Sequence, residues 1–247
     1  MGHVARGIGL IVTVAEHRMP GVKPLAVLLD LDGTLVDHDT AADAGLRAWL
    51  PTIGLTATPE TLSHWLTVQE IHHAAWRDGK ITHAEQRRRR LQDFLGTTKA
   101  ATELDAIFAG YLSCYEAAWR AYDDVVPALT QLRNAGIATA VLTNGATGQQ
   151  NKKLSRTGLA GLLGPVFTIE DLGVAKPFPE AFQRACHRWG QPPGNVLSVG
   201  DNYAFDVVAA REAGLHAAHL DRLGTGPLDE PHRMVSLNTV TAMLDAF

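Results

Sequence analysis

The chain has 247 residues, enough for one large domain or for a core domain carrying a smaller one. Its 46% hydrophobic and 19% charged residues are the balance of an ordinary globular protein, and a formal net charge of -4 with a pI near 6.2 excludes a general attraction to nucleic acid or anionic membrane. Two cysteines, Cys114 and Cys186, outside any CxxC spacing, exclude a disulfide framework and a structural zinc site, and fit a reducing cytosol.

In chain order, residues 1–24 read as an N-terminal extension. Its run "GIGLIVTVA" at 7–15 is too short and too weakly flanked for a signal peptide, and either Met1 or Met19 serves as the start. No apolar stretch of about 18 residues follows, so a cytoplasmic protein without a membrane partner is expected. "VLLDLDGTLV" at 27–36 begins as a buried strand and runs into two carboxylates, Asp30 and Asp32.

From 37 to 123 the apolar spacing is helical. One series runs through Leu62, Trp65, Leu66, Gln69, His73 and Trp76. A second runs through Leu104, Ile107, Phe108, Tyr111, Leu112, Tyr115, Trp119 and Tyr122. From 124 onward helix and strand alternate. "DVVPALTQLRNA" is a helix stopped by Gly136, and "IATAVLTNG" and "GPVFTIED" are strands. "PEAFQRACHRWG" is a helix framed by Pro179 and Gly190. "NVLSVGDN" is a strand, "YAFDVVAAREAG" a helix and "LHAAHLDR" a last strand. The expected fold is therefore α/β, a Rossmann-like parallel sheet with helices on both faces, with a core at 25–36 and 124–247. A helical domain at 37–123 is inserted into it.

In such sheets ligands gather beyond the carboxyl ends of the strands. Four strand ends here carry Asp30 and Asp32; Thr143, Asn144 and Gly145; Lys176 and Pro177; and Gly200, Asp201 and Asn202 with Asp206 after them. Each alone is a turn or cap signal, but together they converge on one crevice. Carboxylates crowded there repel one another unless a cation holds them, and oxygen-only ligands suit Mg²⁺. A carboxylate nucleophile, a metal and a hydroxyl–amide–ammonium cradle suit phosphoryl transfer. Alternation along the strand directs Asp30 and Asp32 to one side.

"DLDGT" at 30–34, "TNG" at 143–145, "KP" at 176–177 and "GDNYAFD" at 200–206 resemble the four motifs of the haloacid dehalogenase (HAD) superfamily, in order, over about residues 25–222. The helical insertion resembles the cap of its C1 subclass. The resemblance implies that Asp30 is the nucleophile forming an aspartyl-phosphate. Asp32 would protonate the leaving alcohol, activate water and offer its carbonyl to Mg²⁺. It further implies Thr143, Asn144 and Lys176 as phosphate binders, with Thr143 using its hydroxyl. Asp30, Asp32 and Asp201 would be the metal ligands. Asp206 would act through a water or a neighbour, and Gly33 would permit a tight turn that directs amides at the phosphate.

An acid at position 32 favours a phosphatase over a dehalogenase, because a halide needs no proton and an alkoxide does. "TNGATGQQNKKLSRTGL" with "DLGVAKP" is similar to the branch holding house-cleaning nucleotidases and N-acylneuraminate-9-phosphatase. That tilts the substrate toward a sugar phosphate or nucleoside monophosphate. A phosphomutase, a 2-haloacid dehalogenase and a non-catalytic ligand-binding module are the alternatives. The expected partner is a small phosphorylated metabolite, with the chain a monomer or homodimer.

Other features have plainer readings. His72 and His73 are structural positions on a helix, as are His216 and His219 on the last strand. Arg87 to Arg90 are a solvated helix face from which one side chain could reach the cleft. Trp65, Trp76 and Trp119 are core aromatics that could stack on a base, and Cys114 and Cys186 are buried apolar residues.

Overall fold

The computed structural model describes residues 24–247, so the expected N-terminal extension lies outside the described residues except for its last position. Strand β1 (Ala26–Leu29) is buried along its whole length and stops one residue before Asp30. The chain then runs through four helices, α1 (His38–Trp49), α2 (Pro59–Arg77), α3 (His83–Leu95) and α4 (Ala101–Ala117). Oxygens of Asp37, Thr58 and Thr82 accept from main-chain N–H groups of the first turns of α1, α2 and α3, satisfying donors that the helices leave open.

After α5 (Val125–Asn134) come β2 (Ala138–Thr143), α6 (Thr147–Arg156), β3 (Val166–Thr168), α7 (Ile169–Leu172) and α8 (Pro179–Trp189). Strand β4 (Val196–Gly200), a π-helical turn at Tyr203–Val208, α9 (Ala209–Glu212), β5 (His216–Leu220), β6 (Arg233–Met234) and α10 (Val240–Met243) complete the chain. All six strands are parallel, in the order β3-β2-β1-β4-β5-β6. The expected α/β class with a Rossmann-like parallel sheet is the observed one.

Alternation divides the core into two layers. Val27 and Leu29 of β1, with Val141, Leu197 and Val199, face Leu129 and Leu132 of α5, Leu154 of α6 and Val240 of α10. Ala26, Leu28, Ala140, Leu142 and Val196 face Phe182 and Cys186 of α8 and Ala209 and Ala210 of α9. A third cluster, built on Trp49, Trp65, Phe94, Phe108, Tyr111 and Tyr115, lies among α1 to α4. Its rings meet with centroids 4.8 to 6.4 Å apart, mostly edge to face or tilted.

Where the chain leaves for the helices and where it returns, the two segments run side by side. Asp37 N donates to Arg120 O at 3.0 Å and Tyr122 N to Leu35 O at 3.2 Å, and Val36 bridges Ala121 antiparallel.

Several local expectations need correction. "GPVFTIED" is a strand only at Val166–Thr168, because Thr168 and Asp171 cap one another and turn the next residues into α7. Leu66 is 55% exposed, and the buried stripe of α2 is Trp65, Val68, His72 and Trp76. Helix α4 ends at Ala117, so Trp119 and Tyr122 lie beyond it. Cys186 is buried as expected, whereas Cys114 is partly exposed. Strand β6 is two residues long and gave no periodic signal.

Candidate active site

β1 and β4 are the strands between which the order reverses, the place where a parallel sheet opens a crevice. Asp30 N donates to Val199 O at 2.9 Å, which carries the ladder one residue beyond the strand and fixes the carboxyl at that crevice. Lys176 Nζ reaches Asp30 Oδ1 at 2.7 Å and Asp206 Oδ1 at 2.5 Å, with all three side chains buried. Asn144 clamps the lysine's backbone: its Oδ1 accepts from Lys176 N at 2.8 Å and its Nδ2 donates to Lys176 O at 2.7 Å.

Asp201 sits at the mouth of the crevice. Its Oδ1 accepts from Thr34 Oγ1 at 3.3 Å, its N–H donates to the same oxygen at 3.1 Å, and its carbonyl meets His219 Nε2 at 2.9 Å. Gly33, with φ +86°, lies directly against the Asp201 carboxylate, which a Cβ at that position would strike.

One oxygen each of Asp30, Asp201 and Asp206 fall within 4.8 Å of one another. Burial pushes the Asp30 carboxyl up to about 8, with Asp206 and Asp201 adding repulsion that Lys176 only partly offsets. Burial and Asp206 likewise push Asp201 up to about 6. Lys176 responds oppositely. Burial alone would lower its pKa, but Asp206 and Asp30 hold it well above the ordinary lysine value.

The donor set fits a hard divalent cation. Asp30 Oδ2 is buried without a hydrogen-bond partner, and Asp201 Oδ2 is not committed to Thr34. Both Asp206 oxygens are occupied, Oδ1 by Lys176 and Oδ2 by Asn202 N at 3.0 Å. Asp30 and Asp201 thus each have an oxygen free to give, whereas each Asp206 oxygen already accepts one hydrogen bond.

Asp32 turns the other way. Its carboxylate is held by Lys153 Nζ in a short contact and by Gln150 Nε2 at 2.8 Å, both from α6, with His38 Nδ1 3.8 Å away. Burial alone would raise its pKa. Lys153, His38 and Gln150 outweigh that and hold it far below the usual carboxylate range. The two aspartates line one cavity but do not share a partner: β1 ends at Leu29, and beyond it strand alternation no longer applies.

Thr143 Oγ1 accepts from Gln150 Nε2 at 2.8 Å and from Gly145 N at 3.2 Å, which leaves the hydroxyl hydrogen to donate. The cavity holds about 420 Å³ and runs from this floor up to α2, α3 and α4, where His73, Trp76, Arg87, Arg90 and Tyr111 line it.

A family model described as haloacid dehalogenase-like hydrolase matches residues 24–214. The chain belongs to that family. The hydrolase is 28% identical over 199 residues to glyceraldehyde 3-phosphate phosphatase of Methanopyrus kandleri, covering 80% of this chain and 84% of the relative. It is 38% identical over 108 residues to phosphoserine phosphatase of Thermus thermophilus, covering 44% and 43%. It is 31% identical over 128 residues to (S)-2-haloacid dehalogenase 4A of Burkholderia cepacia, covering 50% and 55%. The same fold occurs in the magnesium-bound HAD-hydrolase YfnB of Bacillus subtilis, with a TM-score of 0.78 at 22% identity over 90% of this chain and all of that one.

Of the residues that the hydrolase's motifs predicted, Asp30, Asp32, Gly33, Thr143, Asn144, Lys176, Asp201 and Asp206 all line one cavity. Hydrogen bonds tie down two of them further. The Asn144 amide is engaged with the backbone of Lys176, so its side chain positions that lysine instead of presenting itself to a phosphate. Gly33 N donates to Val36 O at 2.9 Å, so its own amide is spent on the turn.

The arginine run also departs from a solvated face. Arg88 pairs with Asp105 and Arg89 with Glu85 on the outside, whereas Arg87 and Arg90, three residues apart, face the cavity. Trp65 is packed under Arg90 and Trp119 lies below Lys153, so Trp76 alone of the three tryptophans lines the cavity. Sequence reasoning missed Gln150 and Lys153. Their signal was a fully polar stretch, "TGQQNKK", opening a helix that packs on a sheet, with two of its polar residues buried.

Proposed function

We propose that this hydrolase is a Mg²⁺-dependent phosphoric monoester hydrolase acting on a small phosphorylated metabolite of the cytosol. The observation that carries the reading is the separation of the two aspartates, each with its own lysine. Asp30 keeps one buried oxygen free beside Lys176, and Asp32 is held apart by Lys153 and Gln150. The first suits attack on phosphorus and the second proton transfer to and from the leaving oxygen and water.

Asp30 and Asp201 would ligate the metal, together with the Asp32 carbonyl. Asp206 would act through a water, with Lys176 and Asn202 N holding its carboxylate in place. The bound Mg²⁺ would neutralise phosphoryl charge and relieve the repulsion now felt by Asp30 and Asp201. Thr143 would donate its hydroxyl to a phosphoryl oxygen, and Lys176, positioned by Asn144, would offset negative charge on Asp30 and the phosphate. The attack would displace an alcohol that takes its proton from Asp32, whose carboxyl, ionised at rest, would gain that proton once the charge of a bound phosphoryl group raises its pKa. Asp32, as the carboxylate, then draws a proton from the water that releases phosphate.

The helices of 37–123 would form a cap that closes over the cavity and excludes water during the first step. The phosphatases among the relatives support this reading. A dehalogenase, which one relative is, has no use for the acid at Asp32.

Release of phosphate from an aryl phosphate, with and without Mg²⁺, is the test. Turnover is expected to require Mg²⁺ and to fall by roughly 10³-fold or more in Asp30→Asn, the scale of losing a covalent nucleophile. Undiminished turnover in that variant would sink the mechanism.

A further inference from the structure

The cap side of the cavity holds a cation that no carboxylate among the described residues neutralises. Arg90 is 3% exposed, and no carboxylate lies within ion-pair distance of it among the described residues. Its guanidinium lies 3.8 Å from the centre of the Trp65 ring, and 5.2 and 5.5 Å from those of Tyr111 and Phe108. These ring faces hold the cation in place, and the Tyr111 side chain also hydrogen-bonds to it, but the rings carry no negative charge to neutralise it. Nε and Nη2 are both buried without a partner.

Burial pulls the pKa of Arg90 down to about 10, so it stays charged at neutral pH. A charge removed from water with open donors is costly unless a counter-ion completes the site.

The surroundings reinforce this. Arg87, half-buried on the same face, donates to the neutral Gln149 Oε1 at 2.7 Å, lies 5.2 Å from the Phe108 ring centre and has no carboxylate in ion-pair distance among the described residues. His73 lines the same cavity, and burial with the charges of Arg90, Arg77 and other neighbours pushes its pKa down to about 3. Gln86, one turn before Arg90, is buried with Oε1 unpartnered. Two carboxylates do reach the cavity wall, Asp39 and Glu70, and Glu70 is paired to Arg77 at 2.6 Å. The cavity is thus acidic at its floor, with Asp30, Asp32, Asp201 and Asp206, and cationic at its roof.

We infer that Arg90 and Arg87 form a second anion-binding subsite, and that the substrate is a phosphate monoester carrying a further carboxylate or phosphate group away from the ester being cut. The inference rests on the phosphatase reading for the ester, while the subsite itself is a property of the cap. Arg90 offers two parallel donors in the geometry a carboxylate or phosphate accepts. Arg87 adds charge at the rim, and the apolar walls of Trp76 and Phe108 take the spacer between the anions.

The test uses alkyl phosphates of two to five carbons that end in a methyl, a carboxylate or a second phosphate. Equilibrium binding is measured on Asp30→Asn protein with Mg²⁺, and kcat/KM on the unaltered enzyme. At one spacer length, an ester with the second anion is expected to bind roughly 10- to 100-fold more tightly than its methyl counterpart, the worth of hydrogen bonds to a charged group. Whether the carboxylate or the phosphate gains more identifies the anion. Added Arg90→Met should bring that ratio below about threefold, and Arg87→Met should reduce it in part. Arg90→Lys, which keeps the charge and loses the fork, covers the case in which Arg90→Met does not fold, and is expected to lose most of the ratio.

Equal binding of the methyl and anionic esters at every length, or a ratio untouched by Arg90→Lys and Arg87→Met, overturns the subsite even if phosphate release continues. Selective binding of the anionic esters with no phosphate release overturns the phosphatase reading and leaves the subsite standing.

Discussion

At the scale of single residues, the site divides its charges into two pairs, Asp30 with Lys176 and Asp32 with Lys153, and the second pair makes a prediction. Lys153 is fully buried and, after burial, is the largest influence on Asp32, which it holds low. Removing that cation in Lys153→Met raises the pKa of Asp32. In the proposed mechanism hydrolysis of the intermediate uses Asp32 as a carboxylate, so the acid limb of the kcat–pH profile should lie at higher pH in Lys153→Met than in the unaltered enzyme. A lysine that only fills space would lower the rate equally at every pH, so an unmoved limb refutes the role. The motifs displayed Asp30, Asp32, Thr143, Lys176 and Asp201 because a strand end fixes where those side chains start. Lys153 and Gln150 stayed hidden because their importance lies in which way α6 turns its polar residues, and a polar helix face is ordinarily solvated.

At the scale of elements, the end of the sheet is tied together by one carboxylate. Asp124, just before α5, accepts from both Arg222 terminal nitrogens at 2.9 Å, from Ser236 Oγ at 2.7 Å and from Leu237 N at 2.8 Å. It thereby joins the helix that precedes β2 to the chain that follows β5 and β6. Asp124→Ala leaves these donors, including a largely buried guanidinium, without their acceptor. A loss of about 2 to 4 kcal/mol in unfolding free energy is expected from denaturant titration.

The pH dependence has a definite sign. Burial raises the pKa of Asp124, but hydrogen bonds from Arg222, Ser236 and Leu237 outweigh it, and the folded value lies below the ordinary 3.8. The stabilisation is therefore complete above that value and disappears as pH falls through the lower folded one. The unaltered protein should lose this contribution in acid, and the difference between it and Asp124→Ala should shrink there. Little of this network was legible in the sequence. β6 is too short for a periodic signal, and the partners of Asp124 stand 98 to 113 residues away. The alternation of helix and strand was legible because the central strands β1 and β4 are buried along their whole length, and that burial leaves continuous apolar runs.

At the scale of the whole molecule, the proposed chemistry and the proposed recognition draw on different bodies of side chains. The four carboxylates of the floor stand on the segments that follow β1 and β4, and the cationic roof stands on α2 and α3, packed on an aromatic cluster that shares no member with the two layers beneath the strands. They are joined by the pair of crossing segments at 35–37 and 120–122, laced by two main-chain hydrogen bonds, and by side chains, with Glu116 pairing to Lys152 and Arg156, Arg87 donating to Gln149, and Lys153 lying over Tyr115 and Trp119. A neck of that kind is a natural suture. If 38–119 is cut out and the matching insert of another family member is stitched in, the bonds at the neck can re-form whatever the newcomer's sequence. The graft should fold and keep Asp30-dependent phosphate release while taking on the donor's choice of ester, and loss of that release in a folded graft would show that roof and floor are not separable. Lineages could then trade substrates by exchanging roofs, with the hearth below left untouched.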